Sequence, residues 1–244
     1  MWEYAQADHI ARDYDDYFAY NTLFGYDQQV TAGHFKKLGL VVDLGAGTGR
    51  ALLPLVKQGH RGLAVDLSME MLQVVGDKAA KEGVAVERLL ANLVELDCLA
   101  DAVADYCICM FSTLGMIRGR ANRQRVLDHA RRILKPGGLL VLHVHNLWYN
   151  LYDPGGPWWL CKNLLESAFR RDVEAGDKFF DYRLIPNMFL HVFRRRELVG
   201  AIRAAGFKVR ELIRLDPTRH AALAHPWWFG DLRANGWIAI CEAV

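Results

Sequence analysis

Ten residues constrain this chain more than any others: Val41-Val42-Asp43-Leu44-Gly45-Ala46-Gly47-Thr48-Gly49-Arg50. β-Branched residues and an acid run into three glycines, each separated from the next by one residue. The pattern reads as a strand ending in a tight loop poor in side chains. Ala51-Leu52-Leu53 and Leu55-Val56 then place apolar residues at helical spacing, so a helix follows. Glycine reaches φ > 0 without steric cost and lets a ligand lie against backbone N–H groups. The N-terminus of the following helix adds partial positive charge. Strand, loop and helix together make the first βα turn of a doubly wound sheet, built for a polar, extended ligand.

The glycine spacing discriminates between ligands. A dinucleotide fingerprint reads G-x-G-x-x-G, but here the glycines stand at 45, 47 and 49 and the sixth position is Arg50. A Walker loop requires Gly-Lys-Ser/Thr, whereas Gly49 is followed by Arg50-Ala51.

The rest of the chain continues the alternation of strand and helix. Strands are expected over about 39–44, 63–66, 84–90, 105–110 and 139–144. The first helix runs to about Gly59, a C-cap. The second runs from Met69 to Glu82, with Ser68 as N-cap and Gly83 as terminator. A third covers Asn122 to Leu134 and is stopped by Lys135-Pro136-Gly137-Gly138, where the chain reverses into strand 5. This alternation implies a mostly parallel sheet. Residues 146–177, with Trp148, Trp158, Trp159 and a Pro-Gly-Gly-Pro turn, read as an insertion after strand 5. Two extra strands are expected over Phe179–Pro186 and Met188–Phe193, then a helix from Arg195 to Ala205, and final strands over Phe207–Leu215 and Gly236–Ala243.

At 244 residues, 52% of them apolar, the chain suits a single α/β domain over residues 1–244. The expected parts are a tyrosine-rich N-terminal cap (1–35), a ligand-binding core (36–145), an insertion that lids the site (146–193) and a final helix and strands (194–244). A net charge of +2 carries no electrostatic signature of a nucleic-acid binder. No apolar run reaches the roughly 18 residues of a membrane helix. Met1-Trp2-Glu3-Tyr4 leads into charged residues rather than a signal peptide. The five cysteines show no disulfide or zinc spacing, and Cys107-Ile108-Cys109 reads as part of a buried strand. A cytoplasmic protein is the expectation.

The motif D-L-G-x-G-x-G, followed in order by Asp66, Asn92 and Lys135-Pro136-Gly137-Gly138, resembles class I S-adenosylmethionine-dependent methyltransferases. The resemblance covers residues 38–145 well and the two final strands loosely. It implies a Rossmann-like seven-stranded sheet of order 3-2-1-4-5-7-6 with the last strand antiparallel. It also implies S-adenosylmethionine as cofactor and S-adenosylhomocysteine as product.

The resemblance assigns residues as well. Asp66, ending strand 2, accepts the ribose hydroxyls; the alternative role of N-cap falls better to Ser68. Asp43 contacts the amino-acid part of the cofactor, bonds the loop amides, or does both. Gly45, Ala46, Gly47, Thr48 and Gly49 give close backbone approach. Leu67 and Met71 lie in the stretch whose apolar side chains face adenine, with Leu72 equally suited to the core. Asn92 stands where many relatives carry aspartate; its carbonyl can still accept from the adenine amino group, and the Leu93 amide faces the ring. Phe111 and Ser112, after strand 4, shape the transfer site.

Methyl transfer from a sulfonium is an in-line displacement with a good leaving group, so alignment and water exclusion can supply much of the acceleration. A base is required only where the acceptor must lose a proton. His145, on the same strand face as His143, is the candidate base or acceptor ligand, against the alternative of a hydrogen-bonded structural histidine. Tyr14 is the candidate N-terminal residue that closes over the site. No carboxylate stands at a spacing that would complete a two-histidine metal site, and none is expected. Arg118, Arg120, Arg123 and Arg125 read as a solvated helix face. His191 and the tryptophans of the insertion are expected over the acceptor, and Trp227, Trp228 and Trp237 in the core. The expected acceptor is a small molecule. An RNA or protein acceptor, or cofactor binding without catalysis, are the rival readings.

Overall fold

The computed structural model describes residues 23–182 and 185–244. Tyr14 and most of the expected N-terminal cap lie outside the described residues. The elements in chain order are α1 (Leu23–His34), β1 (Leu40–Leu44), α2 (Leu52–Lys57), β2 (Arg61–Asp66), α3 (Met69–Lys81), β3 (Glu87–Leu90) and β4 (Ala104–Cys109). There follow a 3-10 turn (Thr113–Met116), α4 (Arg120–Ile133), β5 (Leu134–His145), a second 3-10 turn (Leu147–Tyr152) and α5 (Gly156–Phe169). The chain continues with β6 (Asp177–Tyr182), β7 (Ile185–His191), α6 (Arg195–Ala204), β8 (Phe207–Arg214), α7 (Gly230–Arg233) and β9 (Gly236–Ala243).

Seven strands form one sheet in the order β3-β2-β1-β4-β5-β9-β8, and β6-β7 form a separate hairpin. With the hairpin counted apart, this is the expected order. Strands β1 to β5 pair in parallel, while β9 lies antiparallel between β5 and β8. Side-chain alternation divides the core in two. Val42, Leu44, Cys107 and Cys109 face a cluster closed by Val126, Leu127 and Ile133 of α4 and Leu198 and Ile202 of α6. Val41, Tyr106 and Ile108 face the opposite cluster, closed by Val30 of α1, Leu52 and Leu55 of α2, and Leu72 and Val75 of α3. Trp237 is fully buried, but Trp227 and Trp228 are exposed, contrary to expectation. They precede α7 in an irregular segment, where no strand or helix turns one face to the core. No described helix is long and apolar enough to cross a membrane.

Two other expectations need correction. Lys135-Pro136-Gly137-Gly138 is not a turn outside the sheet. Strand β5 starts at Leu134, paired with Ala104, and resumes its pairing at Leu139 opposite Tyr106. The intervening residues bulge out of the ladder, with Gly137 at φ 78°. Asn187 also does not separate the two hairpin strands, since Tyr182 already pairs with Ile185 and β7 runs from Ile185 through Asn187 to His191. Asn187 sits within β7 at φ 55°, and its amide donates to Asp181 Oδ1 at 3.0 Å. Asparagine tolerates that left-handed backbone better than most residues.

The hairpin is fastened to the sheet by buried charge. Arg123, read from sequence as a solvated arginine, is only 3% exposed. Its NH2 lies 2.7 Å from Glu174 Oε2 and 3.7 Å from Glu197 Oε1. His191, at the end of β7, lies 2.8 Å from Asp177 Oδ1 through Nδ1 and 2.8 Å from Glu197 Oε1 through Nε2. Only the doubly protonated ring donates from both nitrogens. Burial alone would lower the His191 pKa, but hydrogen bonds to Asp177 and Glu197 outweigh it and raise the value above its ordinary one. Burial likewise works to raise Asp177 and Glu197, but the bonds to His191 bring both below theirs.

The raised histidine stabilises the fold fully below its unfolded pKa of about 6.5, and that contribution is lost as pH rises through its folded value. The lowered carboxylates contribute above about 4.5 and fade as pH falls through theirs. Hydrogen exchange on β7 amides should therefore be slowest between these limits and speed up on the alkaline side, after correction for intrinsic exchange. His191→Gln should flatten that alkaline limb; an unchanged pH profile would contradict the assignment. Arg123→Ala, which removes the buried cation from between Glu174 and Glu197, should cost about 3 kcal/mol in denaturant unfolding.

Candidate active site

The loop after β1 is folded back over the end of β2. The amides of Gly45 and Ala46 both donate to the Val65 carbonyl, at 2.8 and 3.0 Å. These two donors, expected from sequence to face a ligand, are thus spent on the sheet. The amide of Gly47 donates instead to Asp66 Oδ2 at 2.7 Å, and that of Ser68 to Asp66 Oδ1 at 2.9 Å. Each Asp66 oxygen retains acceptor capacity. Ser68 caps α3 through Met71 N at 3.2 Å, so the cap and the acid are separate residues, as expected. Helix α2 is shorter than predicted, six residues from Leu52. Its dipole is correspondingly small, so the side chains and loop geometry dominate the site.

A cleft opens at this end of the sheet, at the carboxyl ends of β1, β2 and β4. Its walls include Asp43, Gly45, Ala46, Gly47, Thr48, Asp66, Leu67, Met71, Asn92, Leu93 and Phe111. Of the residues expected at the cofactor, Gly49 and Ser112 alone are not in the walls. A Cβ on Gly49 would stand 3.1 Å from Val75, so this glycine serves the packing of the loop on α3. Ser112 is fully buried at φ 62°; its amide donates to His143 O and its Oγ accepts from His145 N at 3.4 Å. It ties the β4 loop to β5 rather than facing the cleft.

Sequence reading missed Met110, Thr113, Met116 and Ile117, which also line the cleft. The missed signal is the position of Met110 and Thr113 directly beside Phe111, at the end of a central strand. Thr113 explains Gly45: a Cβ there would meet Thr113 Cγ2 at 2.3 Å, on a backbone at φ 84°.

The cleft holds two acids, Asp43 and Asp66, and Arg50 also stands in its wall. Asp43 is 2% exposed, and its Oδ2 has no hydrogen-bond partner among the described residues. Burial, with the neighbouring charge of Asp66, pushes its pKa up to about 8. Burial also raises Asp66, against the hydrogen bonds from Ser68 and Gly47. An orphaned buried carboxyl is costly unless a ligand completes it. A cation or a donor brought beside Asp43 would do so.

Beyond Phe111 the walls change character. The Phe111 ring meets His143 edge-on at 6.3 Å, and His143 meets His145 at 5.3 Å. The two histidines do share a face of β5, and neither ring nitrogen of the buried His143 has a hydrogen-bond partner among the described residues. His145 opens into a second cavity with Tyr149, Lys178, Arg219 and Asn235. Burial, then the charge of Arg219, lowers His145 to about 4, so its ring is neutral at neutral pH. His191 lies in the clamp rather than in this cavity. Glu174, His191 and Glu197 bring metal-ligand atom types within 4.8 Å of one another. The guanidinium of Arg123 already supplies the positive charge between those carboxylates.

Gly45→Ala should lower stability by about 1–2 kcal/mol for the left-handed backbone alone, with the Thr113 collision added. In denaturant melts, Gly45→Ala with Thr113→Ser should recover the collision component and keep the backbone component. Equal stability of the single and double variants would remove Thr113 from the explanation.

Comparison with known proteins agrees with this geometry. Residues 41–138 match the family model described as a methyltransferase domain. A solved methyltransferase of Methanosarcina mazei superposes with a TM-score of 0.71 at 17% identity, over 88% of this chain and 97% of that one. A 1,6-didemethyltoxoflavin-N1-methyltransferase of Burkholderia thailandensis, solved with its acceptor and S-adenosylhomocysteine, gives 0.63 at 18% identity, over 96% of this chain and 84% of that one. The ubiquinone biosynthesis O-methyltransferase of Rickettsia conorii is 27% identical over 153 residues, 59% of this chain and 50% of that protein. The chain spans about half the length of the curated relatives it matches. With the seven-stranded order, the glycine loop and the acid at the end of β2, these matches give the chain the fold of class I S-adenosylmethionine-dependent methyltransferases and make residues 41–138 similar to their methyltransferase domain.

Proposed function

We propose that this protein transfers a methyl group from S-adenosylmethionine to a small-molecule acceptor. The observation that carries the reading is the pair of acids in the cleft, Asp66 with acceptor capacity left and Asp43 with an orphaned oxygen. Asp66 receives the ribose hydroxyls. Asp43 balances the ammonium of the amino-acid part, whose carboxylate lies along the loop of Gly45 to Thr48. Leu67 and Met71 hold the adenine face, with Asn92 and the Leu93 amide at its edge. Bound S-adenosylmethionine supplies an electrophilic methyl group on a sulfonium that leaves readily. The chain's own contribution is alignment and exclusion of water, with Phe111, Met110 and Met116 walling the transfer end. His145, neutral at neutral pH, is the candidate group to receive a proton from an acceptor that must lose one.

A small acceptor suits the second cavity, which is lined by residues of β5, the second 3-10 turn and the β6–β7 hairpin. The similar proteins include both a ubiquinone biosynthesis O-methyltransferase and a tRNA 5-carboxymethoxyuridine methyltransferase, so the reading of a small acceptor rests on the cavity. The near-neutral net charge does not supply the phosphate-neutralising surface of a nucleic-acid enzyme.

Asp66→Ala should weaken S-adenosylhomocysteine binding by about 1–3 kcal/mol, the scale of hydrogen bonds to a charged group. Unchanged affinity in a folded variant would remove Asp66 from the site. Asp43 provides a second test. With a pKa of about 8 it is mostly protonated at pH 7, and a ligand ammonium favours the ionised form. Affinity should therefore rise from pH 6 to pH 8, and titrations at pH 7 in buffers of different ionisation enthalpy should show net proton release. Proton uptake, or none, would separate Asp43 from the ammonium.

A further inference from the structure

The second cavity contains a cation that no described carboxylate pairs with. Its cations are Lys178 and Arg219, and its described carboxylate is Asp153. Lys178 is accounted for: Nζ lies 2.7 Å from Asn150 Oδ1 and 3.4 Å from Asp153 Oδ2, and over the Trp159 ring at 5.3 Å. Arg219 is not. Among the described residues no carboxylate lies within ion-pair distance of its guanidinium. The carboxyl whose charge does act on it is Asp27 of α1, and burial pushes Asp27 up to about 7. At neutral pH that acid is only partly ionised. His143 and His145 are both driven toward the neutral form, first by burial, and add no charge.

Arg219 is also held in place with care. It follows β8 in a loop organised by one carboxylate. Asp216 accepts from Thr218 Oγ1 at 2.6 Å and from the amides of His220 and Ala221 at 2.9 and 3.3 Å. Arg219 itself stands at φ 62°, an uncommon conformation for a residue with a side chain. A guanidinium keeps its charge even when half-buried, and desolvating it without a partner is costly. The other polar lining groups are engaged. Asn146 Nδ2 donates to two carbonyls, Asn150 bridges backbone and Lys178, and Asn235 Nδ2 donates to Pro217 O.

We infer that this cavity binds a carboxylate carried by the methyl acceptor, with Arg219 as its anchor. The inference rests on the methyltransferase reading for the word acceptor, but not for the ligand's charge. One cation without a described carboxylate partner matches a monoanion and not a phosphate dianion, and the planar guanidinium fork matches a carboxylate. The row of rings from Phe111 through His143 to His145 links the anchor to the transfer end of the cleft. The acceptor would therefore carry its charge on one side of that row and its methylated atom at the other.

The test is ligand-observed saturation-transfer NMR on the full chain saturated with S-adenosylhomocysteine. The probes are a panel of aryl and alkyl monocarboxylic acids, each paired with its own carboxamide. At least one acid should bind on the order of tenfold more tightly than its amide, the scale of a charge-assisted bond. Arg219→Gln should abolish that preference while leaving S-adenosylhomocysteine affinity unchanged, and Arg219→Lys should keep part of it. Should Arg219→Gln not fold, the reduced preference in Arg219→Lys carries the test. The proposal is overturned if no acid binds, if acids and amides bind alike, if the preference survives Arg219→Gln, or if the matching phosphonates bind more tightly than the acids. Failure of S-adenosylhomocysteine to bind the native protein would instead count against the methyltransferase reading, and the acid preference would still be read on the protein without it.

Discussion

The carbonyl of Val65 organises this molecule. By accepting the amides of both Gly45 and Ala46 it folds the first loop across the end of β2. That fold brings Gly47 to within 2.7 Å of Asp66 and sets two carboxyl groups, Asp43 and Asp66, around one cleft. The glycines follow from this bond. Gly45 must turn at a positive φ with Thr113 against it, and Gly49 must pack on Val75. The parallel register of β1 with β2, with Leu44 opposite Val65, places the carbonyl where the loop can reach it.

The site divides by charge. The cleft beside the loop holds two acids and Arg50 and carries an orphaned carboxyl oxygen, so it suits a ligand with donors and a cation. The cavity beyond Phe111 holds two cations and one carboxylate, and no described carboxylate pairs with Arg219, so it suits an anion. A third centre, Arg123 and His191 among three carboxylates, belongs to neither. It fastens the β6–β7 hairpin to α4 and α6, and through the hairpin it fixes Lys178 and Phe180 in the wall of the second cavity. The extra strands therefore shape the second cavity through a bond network separate from the first cleft.

The first half of the chain was the more legible. The glycine loop, the acid after β2, the cap at Ser68 and the alternation of Cys107 and Cys109 are local patterns, and local patterns carry periodicity and spacing. The strand order followed from the family resemblance. What stayed illegible depends on long-range partners. Nothing in the spacing of Arg118, Arg120, Arg123 and Arg125 marks the third as buried, because its acidic partners lie 51 or more residues away on other elements. The bulge at Lys135 to Gly138 looked like a turn because proline and glycine mark both. Arg219 carried no signal at all; its meaning comes from Asp216 shaping the loop and from β5 bringing His145 opposite. Gly49 and Ser112 sit in motif positions yet serve packing, since a motif shows that residues are needed there and not which atoms face the ligand.

The most direct measurement is a calorimetric titration of the purified protein with S-adenosylmethionine, S-adenosylhomocysteine and NAD in parallel. The glycine spacing, Asp66 and the orphaned Asp43 predict micromolar binding of the first two and none of the third. Binding of NAD in preference to both would contradict the assignment of the cleft and return the chain to the nicotinamide-dependent folds.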